Sequence, residues 1–428
     1  MSRYTFLSFI AWSFLAVACG SGEAPSPLPP KPNPQEEPEK PTPKPKEDQP
    51  TRPLIGYEGY MLLCEAGLSS IIYNIPDGVS ELPSLRLMDR DGKLLDRDIY
   101  QELIKEVPAL AVCCEMDLSA SSKYFALMTK YDFTEGKYGP HTSRLTILRR
   151  SDLSLVKSIP IILPSKEFNE WVTGSCTTNA GNTYFAINSR RHRYLNRVDS
   201  EEMIPLQGLS SNYLRSAFSY EDKAYFVLRD DPNIYLFSNG SEKAKSIPIA
   251  SKGGIRADNA AGDYRVLTDN DGRNFLFSLK ESKVVATFWT SPSIGRGSYY
   301  DTKEGYLYFT TVTGSDAKMR SLYRIPLKLD NSSEQSPEAE LYFRIGSRTE
   351  YDSRQGYFLT IGADPYTRKL YLSWLDQGRT GPAVENRTKM YQLPMLGKEE
   401  TLPVKSLALY HLHRTYNISS IYHYRQLP

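Results

Sequence analysis

A short phrase, polar turn then tyrosine then apolar strand formers, recurs seven times in this chain and predicts an all-β protein, a seven-bladed β-propeller. The copies are Gly59-Tyr60-Met-Leu-Leu63, Lys123-Tyr124-Phe-Ala-Leu127, Thr183-Tyr184-Phe-Ala-Ile187 and Ala224-Tyr225-Phe-Val-Leu228, then Asp263-Tyr264-Arg-Val-Leu267, Gly305-Tyr306-Leu-Tyr-Phe309 and Leu370-Tyr371-Leu-Ser-Trp374. Their tyrosines step by roughly 64, 60, 41, 39, 42 and 65 residues, and steps near 40–45 match one blade of four antiparallel strands. The longer steps are blades with loop insertions. A third observation concerns the chain ends. The strand at Tyr60 has no partner before it, and the C-terminus supplies a surplus strand, Ile418–Tyr424. Pairing the two completes the first blade and leaves no open edge.

The elements follow in order. Residues 1–18 carry Arg3 and an apolar core from Phe6 to Ala18, too short for a comfortable span and of the form of a secretory signal. Small residues surround a single cysteine at Ala18-Cys19-Gly20, so Cys19 is the expected lipid attachment. From Cys19 to Pro53 the chain is dominated by Pro, Lys and Glu, with too few apolar residues to form a core. Proline at this density favours an extended tether, about 3.1 Å per residue, which could hold the folded part roughly 90 Å from a lipid surface. The propeller is expected over 54–428.

Within it, Asp96–Glu106 is the persuasive helix, with an acidic start. Later strand pairs are Arg144–Leu148 with Leu155–Pro160, Ile234–Phe237 with Ala244–Ile249, Phe275–Phe277 with Lys283–Phe288, and Leu322–Ile325 with Glu340–Ile345. These read as the third and fourth strands of successive blades. Asp89-Arg-Asp-Gly92 and Thr268–Gly272 read as hairpin turns, because neither supplies the spaced ligands of a calcium loop.

Composition narrows the function. A net charge of +2 gives no basic stripe for nucleic acid, and the five histidines show no metal spacing. No metal and no cofactor is expected. No Gly-x-Ser-x-Gly elbow is present. Glu170, Asp258, Asp301 and Asp352 lie near inner-strand positions and are the carboxylates from which an enzyme acting on glycans or lactones would have to draw.

In the repeat's register the innermost strand of each blade lies about ten residues before its tyrosine. Arg215 and Arg296 fall at that offset, Arg256 two residues closer, and Arg354 and Arg414 precede the last inner strands. Trp171, Tyr213, Tyr299, Tyr351 and Tyr416 sit nearby. Guanidinium groups with aromatic walls suit an anionic, partly apolar ligand such as a ferric catecholate, a haem or a corrinoid phosphate. Cys113 or Cys114 and Cys176 fall on adjacent inner strands, open either to one disulfide or to buried free thiols.

The lipidation-like Leu15-Ala-Val-Ala18-Cys19, the proline-rich spacer and the opening Gly59–Leu68 followed by Ser69-Ser-Ile-Ile-Tyr73 together resemble the cell-surface propeller lipoproteins of Bacteroidota, which are similar to YncE and surface-layer propellers. That resemblance implies an outer-membrane lipoprotein on the cell surface, capturing a small nutrient for a TonB-dependent outer-membrane transporter and touching the membrane through its lipid alone. A protein-interaction scaffold or adhesin using the blade rims is the alternative.

Overall fold

The computed structural model describes residues 60–424 except 66–82, 90–93, 132–141, 163–171, 188–191, 250–252, 296, 312–320, 345–355, 377–387, 398–407 and 412–417. The expected signal, Cys19 and the expected tether therefore lie outside the described residues. No helix among the described residues is long and apolar enough to cross a membrane.

The described residues form an all-β protein of seven small sheets. Sheet I joins Ile418–Tyr424, Tyr60–Glu65, Ser84–Met88 and Leu94–Asp98. Sheet II joins Cys113–Ala120, Tyr124–Tyr131, Thr142–Arg149 and Leu155–Ile162; sheet III joins Val172–Thr177, Asn182–Ile187, His192–Arg197 and Ile204–Pro205. Sheet IV is Leu214–Tyr220, Lys223–Leu228, Asn233–Ser238 and Lys245–Pro248. Sheet V is Ile255–Ala261, Tyr264–Asp269, Asn274–Ser278 and Lys283–Phe288, with Glu334–Gln335 added in parallel at its edge. Sheet VI is Ser298–Asp301, Tyr306–Thr310, Ser321–Pro326 and Glu340–Arg344; sheet VII is Gly356–Asp364, Lys369–Asp376, Thr388–Pro394 and Ala408–His411.

The first strands of sheets II to VII touch one another in order. The first strand of sheet VII then meets Ile418–Tyr424, which in turn meets the first strand of sheet II. Such radial repetition of up-and-down sheets is β-propeller architecture. Ile418–Tyr424 runs antiparallel to Tyr60–Glu65.

Local chemistry explains the sheets. In sheet IV the first hairpin pairs Tyr220 with Lys223, leaving a two-residue loop that starts at Glu221 with φ +51°. In sheet V the corresponding residue is Gly262, φ +70°, which takes that conformation without a Cβ penalty. After the turn, neighbouring residues face opposite sides. Ala224, Phe226 and Leu228 pack toward sheet III, while Tyr225 and Val227 pack toward sheet V. Both faces are buried, so the strand reads as a continuous apolar run. The core is thus divided into layers between consecutive sheets.

The repeated tyrosine occupies two positions. Tyr124, Tyr264 and Tyr306 begin their strands, whereas Tyr184, Tyr225 and Tyr371 are third. Positions one and three share a face, so the repeat survives a two-residue slip. At the third position the phenol reaches the next sheet: Tyr225 donates to Leu279 O at 2.7 Å, Tyr184 to Ser241 O at 3.4 Å, and Tyr308 to Leu396 O at 3.3 Å.

The helix is shorter than expected. Leu94–Asp98 is the outer strand of sheet I, and the helix is Ile99–Glu106. Asp98 ends one and starts the other: its carboxylate accepts from Tyr100 N at 3.0 Å, a helix cap, and from Ser84 Oγ at 2.9 Å. Ile99, Tyr100 and Leu103 are buried against sheets I and II.

Candidate functional site

The inner strands of sheets II, III, IV, V and VII share an irregularity near their leading ends. Register shifts fall between Cys113 and Glu115, Thr173 and Ser175, Leu214 and Ser216, Ile255 and Ala257, and Phe358 and Thr360. Each is a bulge that leaves one residue without a cross-strand partner and turns it out of the ladder. In sheet III that residue is Gly174, φ +59°, where an added Cβ would come within 3.1 Å of Leu214 Cδ2. In sheet IV it is Arg215 and in sheet V it is Arg256. These two arginines are structurally equivalent. Their different offsets from the tyrosine arise because Tyr225 is third in its strand and Tyr264 is first.

Both arginines are exposed, but their electrostatics differ. Arg215 Nε lies 3.5 Å from Asp258 Oδ1. Asp258, on the inner strand of sheet V, also accepts from Ser216 Oγ at 2.7 Å and from Arg265, whose guanidinium sits 4.3 Å above the Phe218 ring. Its side chain is 5% exposed, so one buried carboxylate ties sheets IV and V through two arginines. Arg256 has no ion pair or hydrogen bond among the described residues.

Three other described arginines at this end are engaged. Arg229 lies 3.4 Å from Asp230, and Arg273 lies 2.9 Å from Glu334 with its guanidinium 5.7 Å from the Trp289 ring. Arg193 is buried and donates to Ser210 O at 3.1 Å and to Asn212 O. Trp289 follows the fourth strand of sheet V directly, and Gly272 lies in the turn between its second and third strands. Neither was singled out by register. The tyrosine repeat marks second strands and is silent about the connections that leave the fourth.

The remaining expected residues scatter. Tyr213 is 43% exposed just ahead of Arg215, at the same end. Tyr299 is not at that end: it lies over Gly262, the turn that closes the inner strand of sheet V, with Cε2 3.1 Å from where a Cβ would stand. It packs into the layer between sheets VI and VII, and burial pushes its phenol upward. Arg296, Arg354, Arg414, Trp171, Tyr351 and Tyr416 lie outside the described residues.

Cys176 carries a free thiol that is fully buried beside Tyr184 and Leu214, and burial pushes its pKa upward. Its expected disulfide partners, Cys113 and Cys114, have side chains outside the described residues. Asp301, like Asp258, is held by arginine: Arg368 grips it with bonds of 3.1 and 2.7 Å. Glu170 and Asp352 fall outside the described residues. Among the described residues no cluster of His, Cys, Asp or Glu could hold a metal. A polar cavity of about 210 Å³ lies between the helix and the Asp152–Ser154 turn, but its Arg97 is already bound to both oxygens of Glu102 at 2.7 Å.

No family model and no curated protein matches this sequence. Among solved structures, it is similar to the WD40 domain of coronin from Toxoplasma gondii, at 12% identity and a TM-score of 0.41, over 69% of this chain and 70% of that one.

Proposed function

We propose that the seven sheets are the blades of a closed seven-bladed propeller, sealed by the pairing of Ile418–Tyr424 with Tyr60–Glu65, and that this propeller is a binding protein. In this reading Cys19 carries lipid, residues 19–53 are the tether, and the propeller of 54–428 stands at the surface of the outer membrane. It captures a small anionic ligand, a ferric siderophore, haem or corrinoid, and passes it to a TonB-dependent transporter. The observation that carries this reading is the repeated bulge: on two consecutive inner strands it holds an exposed arginine at the same place, Arg215 and Arg256. Bulges re-aim side chains and are enriched beside functional sites. Catalysis by the described inner-strand carboxylates has less to recommend it, since Asp258 and Asp301 are both engaged by arginines.

The test is thermal-shift screening of the full chain against ferric catecholates, haem and corrinoids, with Arg215→Ala and Arg256→Ala alongside. A ligand at a hundredfold its Kd adds about 2.7 kcal/mol of stability. A shift that both substitutions abolish is the expected result. No shift with any of these ligands ends the capture reading and turns the search to protein partners of the blade rims.

A further inference from the structure

At the leading end of sheet V, three residues converge on one empty point. A Cβ added to Gly272 would stand 3.8 Å from Trp289 Cζ3 and 3.9 Å from Arg256 Nη2, at ordinary contact distance from both. Gly272 itself has φ +89°, a conformation that other residues adopt only under strain. The absent side chain therefore leaves a notch above Gly272 that both an indole edge and a guanidinium reach. Trp289 is half-buried and held beside Arg273, which is itself pinned to Glu334. Among the described exposed arginines at the leading ends of sheets IV and V, Arg215 and Arg229 already face carboxylates and Arg256 does not.

We propose, building on the capture reading, that this notch is a subsite for a carboxylate carried on a six-membered ring with an apolar face. The guanidinium fork matches a carboxylate in two parallel hydrogen bonds, a geometry that a point cation lacks. The indole offers a broad apolar face to the ring that bears it. Two kinds of compound present this chemistry, a uronic acid and an aromatic acid, and they differ in the ring placed on Trp289.

The experiment titrates the full chain with glucuronate and with benzoate, following tryptophan fluorescence and calorimetric heat, with glucose and benzyl alcohol as neutral controls. Saturable binding of one acid, with neither neutral compound binding, is expected. Which acid binds identifies the ring. Arg256→Gln should weaken binding at least tenfold, and Trp289→Phe should weaken it and remove the fluorescence change. Arg229→Gln should leave affinity unchanged, because that guanidinium already faces Asp230. Two results overturn the proposal: neither acid saturates, or Arg256→Gln binds as tightly as the unaltered protein. If both acids fail while a siderophore, haem or corrinoid gives an arginine-dependent thermal shift, capture stands and the notch does not.

Discussion

The two ends of the sheets use the same residue types to different effect. At the far end, where inner strands close their first hairpins, polar side chains reach across to the next sheet and are consumed there. Tyr225 bonds Leu279 O and Ser282 Oγ, both at 2.7 Å, and Arg368 in a sheet VII turn clasps Asp301 of sheet VI. Arg324, only 2% exposed, binds Glu340 and the carbonyls of Leu396 and Gly397 while sitting 4.5 and 4.9 Å from the rings of Tyr306 and Tyr342. At the leading end the bulges lift arginines out of the ladder, and Arg256 is left without a partner among the described residues. Arg324 and Arg368 at the far end hold sheets together; at the leading end Arg215 does the same through Asp258, while its equivalent Arg256 is left available to something else.

The sharpest way to break this contrast is Arg324→Ala. It strands two carbonyls and removes a buried guanidinium, so a loss of about 3 kcal/mol in urea unfolding is expected. An effect under about 0.5 kcal/mol would mean that the far end is not latched by its buried cations. Next in size is Tyr225→Phe, which deletes a hydroxyl serving two partners; about 1–2 kcal/mol should be lost, with the apolar packing unchanged.

Lys157 gives a pH test of the same end. Its ammonium donates to Asn196 Oδ1 at 2.6 Å and Ser200 O at 2.6 Å, and also to Arg197 O, yet burial draws its pKa from 10.5 down to about 8. Between pH 8 and 10.5 the unfolded chain then binds the proton that the folded chain has released, so this lysine adds stability as pH rises through that window. Below about pH 8 that gain is absent. Cys176 and Tyr225 act in the opposite sense above their ordinary values of 9.0 and 10.0, because burial keeps them protonated in the fold. Subtracting the stability of Lys157→Met from that of the unaltered chain at each pH isolates the lysine; a flat difference would refute the assignment.

The smallest stability effect belongs to Arg256→Gln. An exposed, unpartnered side chain should cost no more than about 0.5 kcal/mol, and a larger loss would show that Arg256 is structural after all.

Much of the sheet order was legible because its signals are local. Polar turns followed by alternating or continuous apolar runs marked second strands, and the pairs Ile234–Phe237 with Ala244–Ile249 and Phe275–Phe277 with Lys283–Phe288 appear as third and fourth strands. The helix boundary was misread because the acidic run Asp96–Asp98 serves a strand before Asp98 caps the helix. The site was legible only in part. Register placed Arg215 and Arg256 on inner strands, but put Tyr299 with them although it lies at the opposite end.

By itself the sequence determined that the chain is all-β, where its hairpins turn, and which residues alternate across each strand, since these follow from turn chemistry and two-residue periodicity. The tertiary structure alone decided that Arg215 is tied to Asp258, 43 residues away, while its equivalent Arg256 is not, and that Gly272 and Trp289 flank the latter. The charge state of a guanidinium is written in its residue type, but its neutralisation depends on which sheet edge the next repeat brings beside it. No local pattern carries that information.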